Sequence, residues 1–484
     1  MNGPTRRLAL VLFAGFGLLV LASSWFQVLG ADRYRSDPRN VRNVITLTEK
    51  ERGLIVAGDG TVLARSDPVP DTPQTYARSY PEGEIFAHAV GYTTFLVGDS
   101  GLEAAFAGEL RSRQDLTISD LLAGIFGRDL RPQNVQTTLQ PIVQRTAYRA
   151  LGNQRGAVVA LDPKTGAVLG YVATPSFDPN LMLGSDAVTI RQDLLDDPSQ
   201  PLQDRAGQTL YPPGSTFKTI VAAVGVETGL VEPETDFEDV LVFDLPGSDA
   251  DIANAGGGLC SNGSSVTLQL AFARSCNTIF ADLAIRIGAR PLQRMTDSIG
   301  FDSTIPFPWQ LAVSHFPADD VADDPAALGQ SGLGERDVRA TPLVMAMTAA
   351  AVANGGDVML PRIVDQIFDV EGETTESFGP QRTGRAMSAA TAAVIAQMME
   401  RAVTDGTGTR AAVPGIRVAG KTGTAQGAAG PQAWFVGFAP VDDPVIALAV
   451  IVEEGGAAGE SGTGGSVAAP IAAQIIAAWL GGES

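Results

Sequence analysis

From Leu8 to Ala31 no side chain is charged, and this run of 24 residues is long enough to cross a bilayer, whose hydrocarbon core takes about 20 apolar residues in a helix. Arg6 and Arg7 precede it. Ala22-Ser23-Ser24 offers the small residues of a signal-peptide cleavage site, but the apolar stretch continues through Trp25, Phe26, Val28 and Leu29. That continuation favours an uncleaved anchor at 8–31 behind a short cytoplasmic tail at 1–7. A bare charge count would place the C-terminal side in the cytoplasm, but it does not decide orientation. Two arginines lie before the span, Arg33, Arg35, Arg39 and Arg42 lie after it, and long domains translocate regardless of such counts. The rest of the chain is therefore expected to be a folded body tethered at one end.

The 484 residues suit two or three domains, and an apolar content of 45% is enough to build a large core. The charge balance narrows the partners. With 34 basic and 54 acidic residues the formal net charge is −20, which repels nucleic acid and gives no basic patch for a membrane surface. Two histidines, His88 and His315, exclude a multi-histidine metal site, and two cysteines, Cys260 and Cys276, exclude a four-cysteine zinc site or an iron–sulfur cluster. No metal and no cofactor is expected.

Past the anchor, Leu54-Ile55-Val56 and Val62-Leu63 flank Asp59-Gly60, a hairpin signal. The segment to about residue 137 is loop-rich and holds nothing catalytic. From Thr138 the texture changes. Leu139, Ile142, Val143, Ala147 and Leu151 share a helical face, so a helix is expected over 138–151. Ala157–Leu161 and Ala167–Val172 read as strands joined by the turn residues Asp162-Pro163-Lys164-Thr165-Gly166. Ile416–Ala419, Trp434–Phe438 and Val445–Val452 read as three more, and Ser466–Leu480 as a final helix packed on the sheet. Helical stretches near 216–229, 267–288, 341–354 and 387–404 lie between. This pattern gives an α/β or α+β domain over 138–484 whose sheet is assembled from distant parts of the chain, preceded by a small β-rich module at 32–137.

Three short motifs carry candidate chemistry. Ser215 follows the chain break Pro212-Pro213-Gly214 and opens an apolar helical run, with Lys218 three residues on and on the same face. A serine hydroxyl needs an adjacent base to act as a nucleophile, and a lysine serves if burial or a second cation lowers its pKa. Ser275-Cys276-Asn277 interrupts a helical stretch, so that a hydroxyl and an amide two apart can face a cleft with Cys276 turned away. Lys421-Thr422-Gly423-Thr424 ends the strand-like Ile416–Ala419; a lysine and hydroxyls on an edge strand can hold a carboxylate, and Gly423 leaves room for a substrate backbone to lie close. Each motif alone is common, as an N-cap with a surface lysine, a helix break or a plain strand end. Their order, on helix, helix break and strand, is specific to penicillin-recognising serine enzymes. A rival pattern overlaps the third motif: Gly415 to Thr422 fits GxxxxGK[ST], the phosphate loop of nucleotide hydrolases. Its middle residues read as strand, and the glycine-rich Gly423–Pro431 cannot start the helix that such a loop requires.

On these motifs the chain resembles the class B penicillin-binding proteins, the membrane-anchored D,D-transpeptidases of peptidoglycan synthesis, and most of all the actinobacterial penicillin-binding protein A type. Ser176-Phe177-Asp178-Pro179-Asn180, Leu328-Gly329-Gln330, Thr341-Pro342-Leu343, Trp434 to Pro440 and Gly464-Gly465 support the match. Upstream, Arg52-Gly53, Arg78, Tyr80-Pro81, His88, Gly91-Tyr92 and Gly101-Leu102-Glu103 look like that family's N-terminal pedestal. Two stretches depart from the pattern: Ala57-Gly58-Asp59-Gly60 replaces Asp-Arg-Asn-Gly, and Thr138-Leu139-Gln140 replaces Thr-Leu-Asp. The resemblance implies an antiparallel sheet flanked by helices on a β-rich pedestal, with Ser215, Lys218, Ser275 and Asn277 catalytic and Lys421, Thr422, Gly423 and Thr424 binding substrate. It implies peptidoglycan stem peptides and β-lactams as ligands, a catalytic domain outside the cell, and a polytopic membrane glycosyltransferase as partner. Cys260 and Cys276 would then be free either to form a disulfide or to stay as buried thiols. Water-directed relatives, a D,D-carboxypeptidase or β-lactamase, and a non-catalytic penicillin-recognising sensor or division scaffold are the alternatives. The 146 residues from Ser275 to Lys421 are long for a compact β-lactamase.

Overall fold

Pro141 sets where the helix expected at 138–151 begins. Proline donates no backbone hydrogen bond and is suited to a first helical position, so α2 runs Pro141–Leu151 rather than from Thr138. Thr138 instead donates its hydroxyl to the Val168 and Arg362 carbonyls, 2.8 and 3.0 Å away. The computed structural model describes residues 3–25, 50–72, 75–111, 131–261, 263–427 and 430–481. They divide into two compact units, Met1–Glu51 with Ser66–Arg78, and Arg52–Arg65 with Ser79–Ser484. The smaller contains α1 (Gly3–Ser24), which is long and apolar enough to cross a membrane. The end of the uncharged run, 26–31, lies outside the described residues.

The Asp59-Gly60 signal is a hairpin: β1 (Ile55–Val56) pairs antiparallel with β2 (Val62–Pro68). On its other edge β1 runs parallel to β3 (Asn134–Thr137), and β3 pairs in turn with Val364–Phe368, so a strand from far along the chain joins this sheet. The two departures from the family pattern touch each other here. The Gly58 N–H donates to the Leu139 carbonyl at 2.8 Å, and a Cβ on Gly58 would fall 2.4 Å from Gln140 Nε2. A glycine and an amide thus occupy positions where the pattern has an arginine and an aspartate.

The upstream residues are structural. Arg52 forms a buried ion pair with Glu103 at 2.6 Å, and Glu103 also accepts from the Tyr80 hydroxyl. Tyr80 and Asn180 exchange hydrogen bonds of 2.9 and 3.0 Å, and His88 meets Phe177 edge-on, so the Ser176–Asn180 stretch packs against the Tyr80–His88 segment.

The main sheet has five antiparallel strands. β4 (Gly156–Leu161) and β5 (Val168–Thr174) come from the start of the body; β6 (Ala419–Gly427), β7 (Gly430–Ala439) and β8 (Ile446–Val452) come from its end. The order across the sheet is β6-β7-β8-β4-β5, with β8 joined to β4 by pairs from Ala447↔Leu161 to Val452↔Gly156. Side chains alternate faces along a strand. Ala157, Val159 and Leu161 therefore enter one core and Val158 and Ala160 the other, and both faces are covered. On one side lie α2 and the last helix, α8 (Ala469–Gly481), whose Ile471, Ile475 and Ile476 are buried, so this second long apolar helix belongs to the core. On the other lie α3 (Lys218–Glu227), α4 (Leu268–Arg274), α5 (Asn277–Ile287), α6 (Pro342–Ala353) and α7 (Ala389–Asp405). An α+β architecture of this kind is what the sequence leads one to expect.

One strand boundary differs. Ile416–Val418 precede β6, because Gly415 at φ +78° and the Ile416 N–H to Val413 carbonyl bond make 413–416 a turn. The third motif therefore lies within the strand, not after it. A strand, not a loop and helix, at Ala419–Gly427 also removes the nucleotide-loop reading.

Candidate active site

Pro212-Pro213-Gly214 ends the preceding chain and starts a 3₁₀ turn at Gly214–Phe217, from which α3 continues at Lys218. In such a turn residues three apart eclipse one another, which stacks Lys218 beneath Ser215. The turn is held on several sides. Gly214, at φ +53°, donates to the Gly334 carbonyl at 2.8 Å; the fully buried Trp434 indole donates to the Pro212 carbonyl at 3.0 Å; and the Thr216 hydroxyl donates to Pro213 O at 2.6 Å.

Lys218 is fully buried, and its amine donates to the Ser275 carbonyl and Asn277 Oδ1, both at 2.7 Å, and to Ser275 Oγ at 3.4 Å. It makes no hydrogen bond to Ser215 Oγ among the described residues. Ser275 sits at φ +62° as the left-handed end of α4, and that reversal aims its hydroxyl and the Asn277 amide at the same amine. Cys276 points the other way and is joined to Cys260 in a disulfide. Cys276, the residue before α5, makes no side-chain cap; Asn254 supplies it from a neighbouring segment, its Oδ1 accepting from the Asn277 and Thr278 N–H groups at 2.8 and 3.2 Å.

From β6, Lys421 is also fully buried and donates to Ser275 Oγ at 2.8 Å and to the Thr422 carbonyl at 2.9 Å. The Ser275 hydroxyl thus lies between two amines. Phe280 stands under Lys218 and Phe272 under Lys421, at 5.5 and 5.7 Å from ring centre to nitrogen. Burial dominates the electrostatics. It pushes the Lys218 amine well down from its ordinary pKa, and the Lys421 charge adds to this while Glu335 opposes it. Burial alone lowers Lys421 to about 7. Two desolvated amines sharing one hydroxyl can pass a proton through it.

Thr422 and Thr424 frame the strand. The Thr422 hydroxyl is hydrogen-bonded to that of Thr407, and Thr424 Oγ1 accepts from the Gly464 N–H at 3.2 Å. Gly423 has a tighter reason than the one its sequence suggests. A Cβ there would lie 2.9 Å from Pro213 O and from Thr216 Cγ2, so its closest approach is to the turn that carries Ser215, not to open cleft. Gly464 has a similar role: a Cβ on it would meet the Trp434 and Gly423 carbonyls at 2.1 and 2.4 Å.

Lys218, Ser275, Asn277 and Lys421 from the three motifs thus converge, and among the described residues no hydrogen bond joins Ser215 Oγ to them. Sequence reasoning missed Glu335, Asn254 and Thr407. Each lies outside any motif and reaches the site through the fold, so no local signal announced it.

The fold and this cluster define a class: the chain belongs to the penicillin-binding protein transpeptidase family. A family model for the penicillin-binding protein transpeptidase domain matches residues 156–477, and one for the penicillin-binding protein A dimerisation domain matches 52–135. Within the family, the chain is 39% identical to the peptidoglycan D,D-transpeptidase PbpA of Mycolicibacterium smegmatis, over 99% of both. It superposes on penicillin-binding protein A of Mycobacterium tuberculosis, solved as a ceftriaxone acyl-enzyme, with a TM-score of 0.83, 37% identity and coverage of 90% of this chain and 99% of that one. The D,D-transpeptidase domain of a peptidoglycan glycosyltransferase from Eggerthella lenta gives a TM-score of 0.78 at 33% identity, covering 90% and 99%.

Proposed function

We propose that the chain is a peptidoglycan D,D-transpeptidase, acylated by penicillins, in which Ser215 carries the acyl group. Ser215 attacks the carbonyl between two D-alanines of a stem peptide, Lys218 takes its proton, and Ser275 relays a proton to the departing D-alanine. Asn277 orients the acyl amide. Lys421 and Thr422 hold the substrate's terminal carboxylate, while Gly423 lets their strand lie against the Ser215 turn. The Ser215 and Thr424 backbone N–H groups stabilise the oxyanion, a contribution of about 3–4 kcal/mol per donor in other enzymes; a Cβ on Gly214 would lie 3.1 Å from the Thr424 carbonyl carbon, which supports their proximity. The amine of a second stem peptide then takes the acyl group. No metal or cofactor is required. The observation that carries this reading is the meeting of Lys218, Lys421 and Asn277 around Ser275 at the foot of the Ser215 turn.

The chain divides into a tail at 1–7, an anchor at 8–31, a pedestal at 32–137 and a transpeptidase domain at 138–484. Because the substrate lies outside the cytoplasm, the catalytic domain faces outward, and a polytopic glycosyltransferase that makes the glycan strand is its partner. The test is an intact mass of the full chain in detergent after incubation with penicillin G, beside Ser215→Ala. We expect one slowly hydrolysed adduct on the wild type and none on the variant. No adduct on folded wild-type protein would overturn the acyl-serine mechanism, and rapid turnover of penicillin would favour a hydrolase.

A further inference from the structure

The cluster around Ser275 suits the first substrate and gives the second no counter-charge. Lys421, when protonated, attracts a donor's carboxylate, but the acceptor of a transpeptidase arrives as an ammonium and must lose that charge before it can attack. A negative group is needed nearby, and Glu335 is the acidic side chain that acts electrostatically on Lys218. Its position is fixed by the chain before it. Gly334, at φ +74°, accepts from the Gly214 N–H, and a Cβ on it would lie 2.2 Å from Gly214 O and 2.7 Å from Phe217 Cβ, so residue 334 is pressed onto both ends of the Ser215 turn. Glu335 is the next residue and is partly buried. Its basic neighbours turn elsewhere: Arg336 pairs with Asp337, and Arg339 donates to the Arg336 carbonyl. Among the described residues no hydrogen bond or ion pair engages the Glu335 carboxylate.

We propose that Glu335 receives the second substrate: its carboxylate binds the acceptor's ammonium in the cleft and takes its proton before attack on the acyl carbon of Ser215. The amine nitrogen bonds to that carbon and the carbon–Oγ bond breaks. Of the two protons the nitrogen sheds, one rests on Glu335 and leaves to solvent, and the other passes through Lys218 to the Ser215 oxygen. Burial raises the Glu335 pKa against the opposing pull of Lys218, which makes the carboxylate a better proton acceptor.

The inference rests on the transpeptidase reading, and one experiment separates the two. Full-length wild type and Glu335→Gln are given a thioester donor ending in D-alanine and one of two nucleophiles, a stem-type peptide with a free side-chain amine or hydroxylamine, which is uncharged at neutral pH. The penicillin adduct checks that the variant is folded. For Glu335→Gln we expect the peptide-over-water partition to fall about 100-fold and the hydroxylamine-over-water partition to stay within about threefold, since only the cationic acceptor needs the carboxylate. An unchanged peptide partition, or an equal loss with both nucleophiles, would overturn the role of Glu335. Wild type that forms the adduct yet transfers to neither nucleophile would instead sink the transpeptidase reading and this proposal with it.

Discussion

At the scale of single residues, the site works by withholding water from charge. In the proposed mechanism Lys218 acts as a base only when neutral, and burial pushes its amine well down from the ordinary lysine pKa, toward that form. The duty proposed for Lys421 is the opposite, because it would hold a carboxylate only as a cation, and burial, which lowers its pKa to about 7, makes that charge fade as pH rises through neutrality. The second-order rate of penicillin acylation should therefore be bell-shaped, rising as Lys218 loses its proton and falling above about pH 7 as Lys421 loses its own. Both limbs belong to the coupled pair. Lys421→Arg keeps its charge throughout, so its falling limb should vanish over pH 7–9, as read from the adduct formation rate. An unchanged falling limb would show that another group sets it. The meeting of Lys218, Asn277 and Lys421 around Ser275 was legible in the sequence because motif spacing survives folding. Glu335 was not, since its access to Lys218 depends on a loop pressed onto Gly214.

At the scale of elements, β6 and the Ser215 turn are fitted to each other through absent side chains. Gly423 faces Pro213 and Thr216, and Gly464 faces Gly423. Gly423→Ala should leave the thermal midpoint within a few degrees but slow penicillin acylation about 100-fold, the usual cost of displacing a reacting group by about an ångström. If acylation were unchanged, the contact between strand and turn would have no part in placing Ser215. The elements themselves read well where period and punctuation agreed, as in the Asp59-Gly60 hairpin and the strands at both ends of the body. They read poorly where a turn is built from apolar residues. Ile416–Val418 look like strand, but the turn that starts at Val413 runs through Pro414 and the left-handed Gly415 to Ile416. The pedestal departures teach the same lesson, since Gly58 and Gln140 lie far apart in the chain and meet only in the fold.

For the molecule as a whole, one buried network ties the 199–211 segment to the sheet. Glu453, just past β8, accepts from Arg205 at 2.9 Å and from the Tyr211 hydroxyl at 2.7 Å, and pairs with Arg155 at 2.8 Å. Arg205 has no exposed surface. Removing its partner leaves a charge in the core, so Glu453→Gln should cost about 3–5 kcal/mol of stability, measurable as a lowered denaturant midpoint; a loss under about 1 kcal/mol would mean that water replaces the carboxylate. The sheet that this network braces is closed by β4 against β8, residues from opposite ends of the catalytic body. Ser215 is synthesised early and Lys421 late, and the strand bearing Lys421 reaches β4 only through β7 and β8. An unfinished or truncated chain therefore carries Ser215 without the strand and the second amine that meet Ser275 in the folded protein, so the three motifs come together only when the last strands are in place.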